Sequence, residues 1–106
     1  METTELKINL KNTVGKYCID NSKGNSIFKE TILNYINAHK SEDNYKITID
    51  LEGVQVVNSS FAKSIFGNLA YKLKSDFDTH VSIIGGNPNL REHIFFFVEM
   101  GKDIKT

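Results

Sequence analysis

The sequence predicts an α/β domain with α+β-like layering, in which three helices pack on one face of a mixed β-sheet. Three segments alternate apolar and polar side chains, which is the pattern of strands with one buried face. Three other segments repeat apolar residues at three- and four-residue steps, which indicates amphipathic helices. Strands covered on both faces would be continuously apolar, so the alternation leaves one sheet face open to water or to a partner.

The first half of the chain predicts two strands and one helix. Residues 6–11 alternate apolar and polar side chains, and residues 17–20 form a short return strand after a turn signal. A polar loop then brings Ser26 to the N-cap position of the first helix, which ends before the polar run at residues 40–44. The apolar stripe of this helix consists of Phe28, Ile32, Tyr35 and Ile36.

The second half predicts two strand–helix pairs, so the element order is β-β-α-β-α-β-α. A strand over residues 47–51 leads through a glycine turn into the second helix, and a strand over residues 80–84 ends at two glycines. Asn87 as N-cap and Pro88 at the first helical position open the last helix, which Gly101 ends. The stripe of the second helix consists of Phe61, Ile65, Phe66, Leu69, Ala70 and Leu73.

The composition indicates one domain over residues 1–106 with a single modest core. Thirteen basic and thirteen acidic residues cancel and form no Lys/Arg block, so we expect a protein partner rather than nucleic acid or a membrane. No signal-peptide pattern is present, and the longest apolar run, residues 94–98, is too short to cross a bilayer. The single Cys18 suits a reducing cytoplasm, and the scattered histidines lack metal-ligand spacing. We therefore predict a cytoplasmic domain without a metal or cofactor.

The junction before the second helix is the first candidate site. Asn58, Ser59 and Ser60 carry side chains that can accept hydrogen bonds from the unpaired N–H groups of a first helical turn. The simplest interpretation is that these residues only cap the helix. The alternative is a switch, because a phosphate adds about −1.5 to −2 charges and the N-terminus of a helix accommodates such an anion.

Residues 50–54, Asp-Leu-Glu-Gly-Val, and residues 58–62, Asn-Ser-Ser-Phe-Ala, resemble the STAS domain of the anti-sigma-factor antagonists. They are closer still to the STAS-like bacterial domains of unknown function. The antagonists typically have Asp before the serine pair and Gly after it, where this chain has Asn58 and Phe61. The resemblance implies a regulatory phosphoprotein whose serine at the helix start, Ser60 by position with Ser59 beside it, is phosphorylated by a histidine-kinase-like ATPase. Phosphorylation would break the complex with that kinase or with a sigma-control protein.

The predicted partner surface combines the helix start with the loop before it. Lys63, one turn beyond the serines, is placed to interact with a phosphate. The predicted members of this surface are Val54, Gln55, Asn58, Ser59, Ser60, Lys63 and Ser64.

Two alternatives remain open from the sequence, and a third is disfavoured. The chain could be an unphosphorylated dimerisation or scaffold module, with Phe95, Phe96 and Met100 as an exposed strip that contacts a partner or a second copy; a last helix buried on two sides would remove that strip. It could also be a STAS module that senses a small ligand. An enzyme with a serine nucleophile lacks a Gly-x-Ser-x-Gly elbow and a convincing histidine partner, so we predict no enzymatic activity.

Overall fold

The computed structural model describes residues 5–39 and 45–104, in which short strands alternate with helices. The strands are β1 (Glu5–Asn9), β2 (Tyr17–Cys18), β3 (Lys46–Asp50), β4 (Val56–Val57) and β5 (Val81–Ile84). The helices are α1 (Leu10–Thr13), α2 (Asn21–Ser26), α3 (Leu33–His39), α4 (Ser59–Ala62), α5 (Asn68–Leu73), α6 (Phe77–His80) and α7 (Pro88–Asp103). None of the helices in this described part is long and apolar enough to cross a membrane.

Two long helices are assembled from shorter segments. The π-helical segment Ile27–Ile32 joins α2 to α3 without a break, and the π-helical segment Lys63–Gly67 joins α4 to α5 in the same way. We refer to these as helix 21–39 and helix 59–73. The 3₁₀ turn Lys74–Asp76 then connects helix 59–73 to α6.

The main sheet has three parallel strands in the order β1-β3-β5, with β3 at its centre. In the middle of the sheet, Ile8 pairs with Ile49, which in turn pairs with Ile83. These three side chains are buried, as are those of Ile47 and Val81 on the same face. The sheet therefore has one apolar face that lies in the core.

The opposite face of the main sheet is uncovered and mostly polar, with the exposed Ile84 as its apolar member in β5. Lys7, Thr48 and Ser82 lie side by side in the register of the three strands, and Lys7 and Ser82 are exposed. The central Thr48 is buried between its neighbours, and its hydroxyl donates a hydrogen bond of 2.6 Å to Oε2 of Glu5. This arrangement confirms that the helices cover one face only.

Helix 59–73 occupies the middle of the core. Five of its six predicted stripe residues are essentially inaccessible to solvent, namely Phe61, Ile65, Phe66, Leu69 and Ala70. The sixth, Leu73, is only partly buried, whereas Ala62 is also fully buried. The helix packs against helix 21–39 on one side and α7 on the other, and it shares one continuous hydrophobic core with the sheet. Contacts with the sheet and with both neighbouring helices therefore fix the orientation of helix 59–73.

The predicted α/β class is confirmed, but the observed strand pairs are parallel rather than mixed. The predicted return strand does not pair with β1, because the single turn α1 follows β1 directly and redirects the chain. β2 instead runs parallel to β4, with Tyr17 opposite Val56 and Cys18 opposite Val57. These four residues form a separate two-stranded sheet.

Several predicted element ends were wrong. The first strand, predicted over residues 6–11, ends at Asn9 because Leu10 begins α1, and the return strand, predicted over residues 17–20, ends at Cys18. The first helix begins at Asn21 rather than near Ser26, because Asp20 accepts a hydrogen bond from the backbone N–H of Ser22 (2.9 Å) and caps it there. The strand predicted over residues 80–84 begins one residue later, since His80 ends α6. α7 continues past Gly101, which is helical and faces a neighbouring helix. The polar run at residues 40–44 lies outside the described residues.

Candidate functional site

Asn58 connects the start of helix 59–73 to the end of β2. Its Oδ1 accepts a hydrogen bond from the backbone N–H of Phe61 (2.9 Å), which makes Asn58 the N-cap. Its Nδ2 donates to the carbonyl of Ile19 (3.1 Å), and its backbone N–H donates to the carbonyl of Cys18 (3.1 Å). An aspartate at this position could cap the helix but could not donate to Ile19, which gives a physical reason for Asn in this chain.

The two serines of the junction are not the caps. Ser59 and Ser60 occupy the first two helical positions, and both side chains are exposed. Among the described residues, neither hydroxyl makes a hydrogen bond, and neither backbone N–H has a protein partner. The interpretation of this serine pair as caps alone was therefore wrong, because Asn58 performs that role. Two free hydroxyls and two free N–H groups stand at the positive end of a helix dipole.

An exposed apolar surface lies beside this helix start. Tyr17, Ile19 and Val56 are 58%, 56% and 42% exposed, and Tyr17 is paired with Val56 across the small sheet. The hydrogen bond from Asn58 holds the backbone of Ile19 next to the helix start. Tyr17 and Ile19 were not predicted as members of the partner surface, although the Tyr-Cys-Ile alternation around a buried cysteine is a signal for two outward side chains.

Two members of the predicted partner surface are buried and cannot contact a partner there. Val54 is 4% exposed and Ser64 is 6% exposed. The Ser64 hydroxyl donates to the carbonyl of Ser60 (2.8 Å), and its Cβ would lie 2.9 Å from a Cβ added to Gly24. The prediction failed for Ser64 because the glycine lets helix 21–39 approach closely.

The other members of the predicted surface remain accessible. Gln55 is exposed, and Asn58 is half-buried by its two side-chain hydrogen bonds. Lys63 is also exposed, and its ammonium lies 6.0 Å from the centroid of the Phe97 ring. Within the described residues this ammonium has no carboxylate partner. We define the helix-start surface as Tyr17, Ile19, Gln55, Val56, Asn58, Ser59 and Ser60.

The predicted strip on α7 is exposed. Phe95, Phe96 and Met100 are 36%, 60% and 42% exposed, so α7 is not buried on two sides. The guanidinium carbon of Arg91 lies 5.6 Å from the centroid of the Phe95 ring, which covers part of that side chain. The role of this strip as a dimer or partner surface stays a prediction.

His80 and His93 have neighbours other than the serine pair. His80 stacks on Tyr45 with ring centroids 3.9 Å apart, and its Nδ1 lies 2.9 Å from the carbonyl oxygen of Tyr45. His93 meets the Phe97 ring edge-on at 5.2 Å. Neither ring makes a hydrogen bond with Ser59 or Ser60 in the described structure.

Comparison with known proteins adds one finding to this geometry. The model of a family described as a STAS-like domain of unknown function matches residues 28–91 of the chain. The matched segment is more than half of the 106 residues and includes the serine junction, helix 59–73, β3 and β5. No curated protein and no solved structure matches the chain.

Proposed function

The chain belongs to the family of STAS-like domains of unknown function, and from that premise we propose that it is a cytoplasmic regulatory domain that binds a protein partner through the helix-start surface. Phosphorylation of Ser60, with Ser59 as the second candidate, releases the partner. The observation that carries this proposal is the pair of exposed serine hydroxyls without hydrogen bonds, at the start of a helix that Asn58 already caps.

The free hydroxyls make a switch compatible with the fold. Because Asn58 supplies the cap, modification of Ser60 removes no side-chain hydrogen bond that holds the helix. A phosphate there adds about −1.5 to −2 charges next to the free N–H groups of the first turn, which stabilise an anion. Such a group changes the surface far more than it changes the packing.

The apolar neighbours of the serines supply contact area for a partner. Tyr17, Ile19 and Val56 together expose more apolar surface than single scattered side chains do, and tyrosine is enriched in protein interfaces. A phosphate at the edge of an apolar interface opposes binding, because the charge has to lose its hydration. Because the chain resembles the anti-sigma-factor antagonists, we propose that the partner is a histidine-kinase-like ATPase or a sigma-control protein.

The first experiment is to measure the intact mass of the protein purified from its own cells and to map its peptides. We expect a phosphate on Ser60 or Ser59 under at least some growth conditions. A chain that carries no phosphate under any growth condition, in cells where the partner is present, would contradict the switch.

The second experiment compares three baits in pull-downs from the same cells, quantified by mass spectrometry. The baits are the wild type, Ser60→Asp and Ser75→Asp, the last being the same substitution at an exposed serine just beyond the other end of helix 59–73. We expect an ATPase or sigma-control protein with the wild type and with Ser75→Asp, and its loss with Ser60→Asp. Equal recovery with all three baits would contradict the role of the helix start.

A second candidate function is a constitutive contact through the α7 strip. Phe96 is the most exposed large apolar side chain among the described residues, and Met100 lies one turn further along α7. Under this hypothesis the chain self-associates without phosphorylation, and Phe96→Ser dissociates the dimer in sedimentation experiments while Ser60→Asp does not.

A further inference from the structure

A groove runs between helix 59–73 and α7, from Lys63, one helical turn beyond the serine pair, to Ile104. Its volume is about 420 Å³, which lies within the range of small-molecule pockets. Its floor is formed where Gly67 faces Gly101, because a Cβ on Gly101 would overlap the carbonyl oxygen of Gly67. The two helices therefore touch at their glycines, and the larger side chains on either side leave the groove open above this contact.

The walls of the groove are mostly apolar. Phe97 forms the buried side, while Tyr71, Met100 and Ile104 remain 38%, 42% and 51% exposed. Burial of such surface by an apolar ligand is favourable because it removes apolar side chains from water. An apolar ligand in the groove could therefore pack against the exposed parts of Tyr71, Met100 and Ile104.

One cation is available at the groove. Lys63 is the charged residue in its lining, and its ammonium lies 6.0 Å from the Phe97 centroid with no carboxylate partner in the described chain. Lys74 cannot serve in the same way, because its Nζ donates to the carbonyls of Gly101 and Ile104 and lies 4.4 Å from the Tyr71 centroid.

We propose that this groove binds a small carboxylic acid with an apolar tail, with the carboxylate on Lys63 and the tail along Phe97, Met100 and Tyr71. A single ammonium matches a singly charged carboxylate, whereas a phosphate group is bound by several converging donors that this lining lacks. Along the helix, Lys63 and Tyr71 are separated by a rise of about 12 Å, which suits a medium-length chain. The site requires neither a protein partner nor phosphorylation of Ser60, so it can be tested independently.

The test uses decanoate as the probe, below its micellar concentration, with binding measured by calorimetry and by amide shifts in NMR spectra of the full chain. Decanol has the same tail without the charge. We expect decanoate to bind more tightly than decanol, with shifts centred on Gly67 and Met100. Lys63→Met should lower the affinity for decanoate by about three-fold, because an exposed ion pair contributes modestly to binding. The same variant should leave the affinity for decanol unchanged. Lys72→Met, an exposed lysine of the same helix outside the groove, should change neither.

Gly67→Ala tests the position of the tail. A Cβ at Gly67 would lie 3.8 Å from the Lys63 Cβ and from the Phe97 carbonyl oxygen, so the variant should fold and only fill the groove floor. We expect Gly67→Ala to lower the affinity for both decanoate and decanol. Unchanged binding in the folded variant would overturn the proposal, as would equal decanoate affinity in the wild type and Lys63→Met. A wild-type dimer that Gly67→Ala dissociates, without decanoate binding, would assign the groove to a second copy instead.

Discussion

The side-chain amide of Asn58 donates a hydrogen bond to the backbone carbonyl of Ile19, 39 positions earlier in the chain (3.1 Å). The same side chain caps helix 59–73 through its oxygen. Asn58 therefore holds Ile19 beside the exposed serines, while the pairing of β2 with β4 places Tyr17 and Val56 next to them.

Asn58→Asp should destabilise the protein although it keeps the capping oxygen. The variant loses the donor to Ile19 and places a carboxylate against that carbonyl, so we expect a loss of about 1–3 kcal/mol in the free energy of unfolding, measured in urea. Asn87→Asp is the matched control, because Asn87 caps α7 through Oδ1 (2.8 Å to the Leu90 N–H) and its amide has no partner in the described residues. Equal losses at both caps would show that the bond to Ile19 contributes nothing.

The contact between Gly67 and Gly101 predicts opposite effects of alanine at the two positions. A Cβ on Gly101 would overlap the Gly67 carbonyl and lie 3.0 Å from the Ala70 Cβ, so Gly101→Ala should cost about 1–3 kcal/mol through overpacking. A Cβ on Gly67 meets only ordinary contacts in a helical conformation, so Gly67→Ala should stabilise by about 0.5–1 kcal/mol. Thermal unfolding of both variants shows whether each substitution raises or lowers the stability. A Gly101→Ala variant more stable than the wild type would contradict the close approach of the helices.

Lys74 combines backbone strain with a tertiary contact at the end of helix 59–73. Its φ is 50° with ψ at −123°, a conformation that costs a non-glycine residue about 1–3 kcal/mol. Lys74→Ala should lose the hydrogen bonds to the end of α7 and keep the strain, whereas Lys74→Gly should lose the bonds but relieve the strain. We expect the glycine variant to be the more stable of the two by about 1 kcal/mol or more in urea unfolding. The reverse order would exclude strain at this position.

Two buried acidic groups predict that the protein loses stability in alkali. Burial raises the pKa of the Cys18 thiol above its ordinary value of 9.0. Burial also raises the pKa of Tyr45 above 10.0, with smaller contributions from the negative charge of Asp76 and from Tyr35. Above these ordinary values the unfolded chain releases protons that the folded chain retains, so the free energy of unfolding should fall as the pH rises through and beyond 9.0.

Urea unfolding at neutral pH and at successive values above 9.0 measures this dependence. Near neutral pH both groups are protonated in the folded and the unfolded chain, so they should not change the free energy of unfolding there. Cys18→Ala, which removes the thiol, should show a smaller loss in the first part of the alkaline range than the wild type. An identical slope for the wild type and Cys18→Ala would assign the alkaline loss to other groups.

The class of fold and the inward face of each main element follow from local patterns in the amino-acid sequence. Alternation with period two identified Ile47 and Ile49 as core residues, and the helical stripe from Phe61 identified the buried side of helix 59–73. The cap of α7 by Asn87 was also predictable. These features are local, because a short segment contains both the apolar pattern and the capping side chain.

The features that make the candidate surfaces depend on contacts between distant parts of the chain. The pairing of β2 with β4, the burial of Ser64 against Gly24 and the bond from Asn58 to Ile19 each join residues far apart in the chain. Periodicity shows which side of an element is apolar, but it contains no information about which distant backbone will lie against that side. The groove above Gly67 exists for the same reason, since its walls belong to two helices whose distance is set by packing rather than by either segment alone.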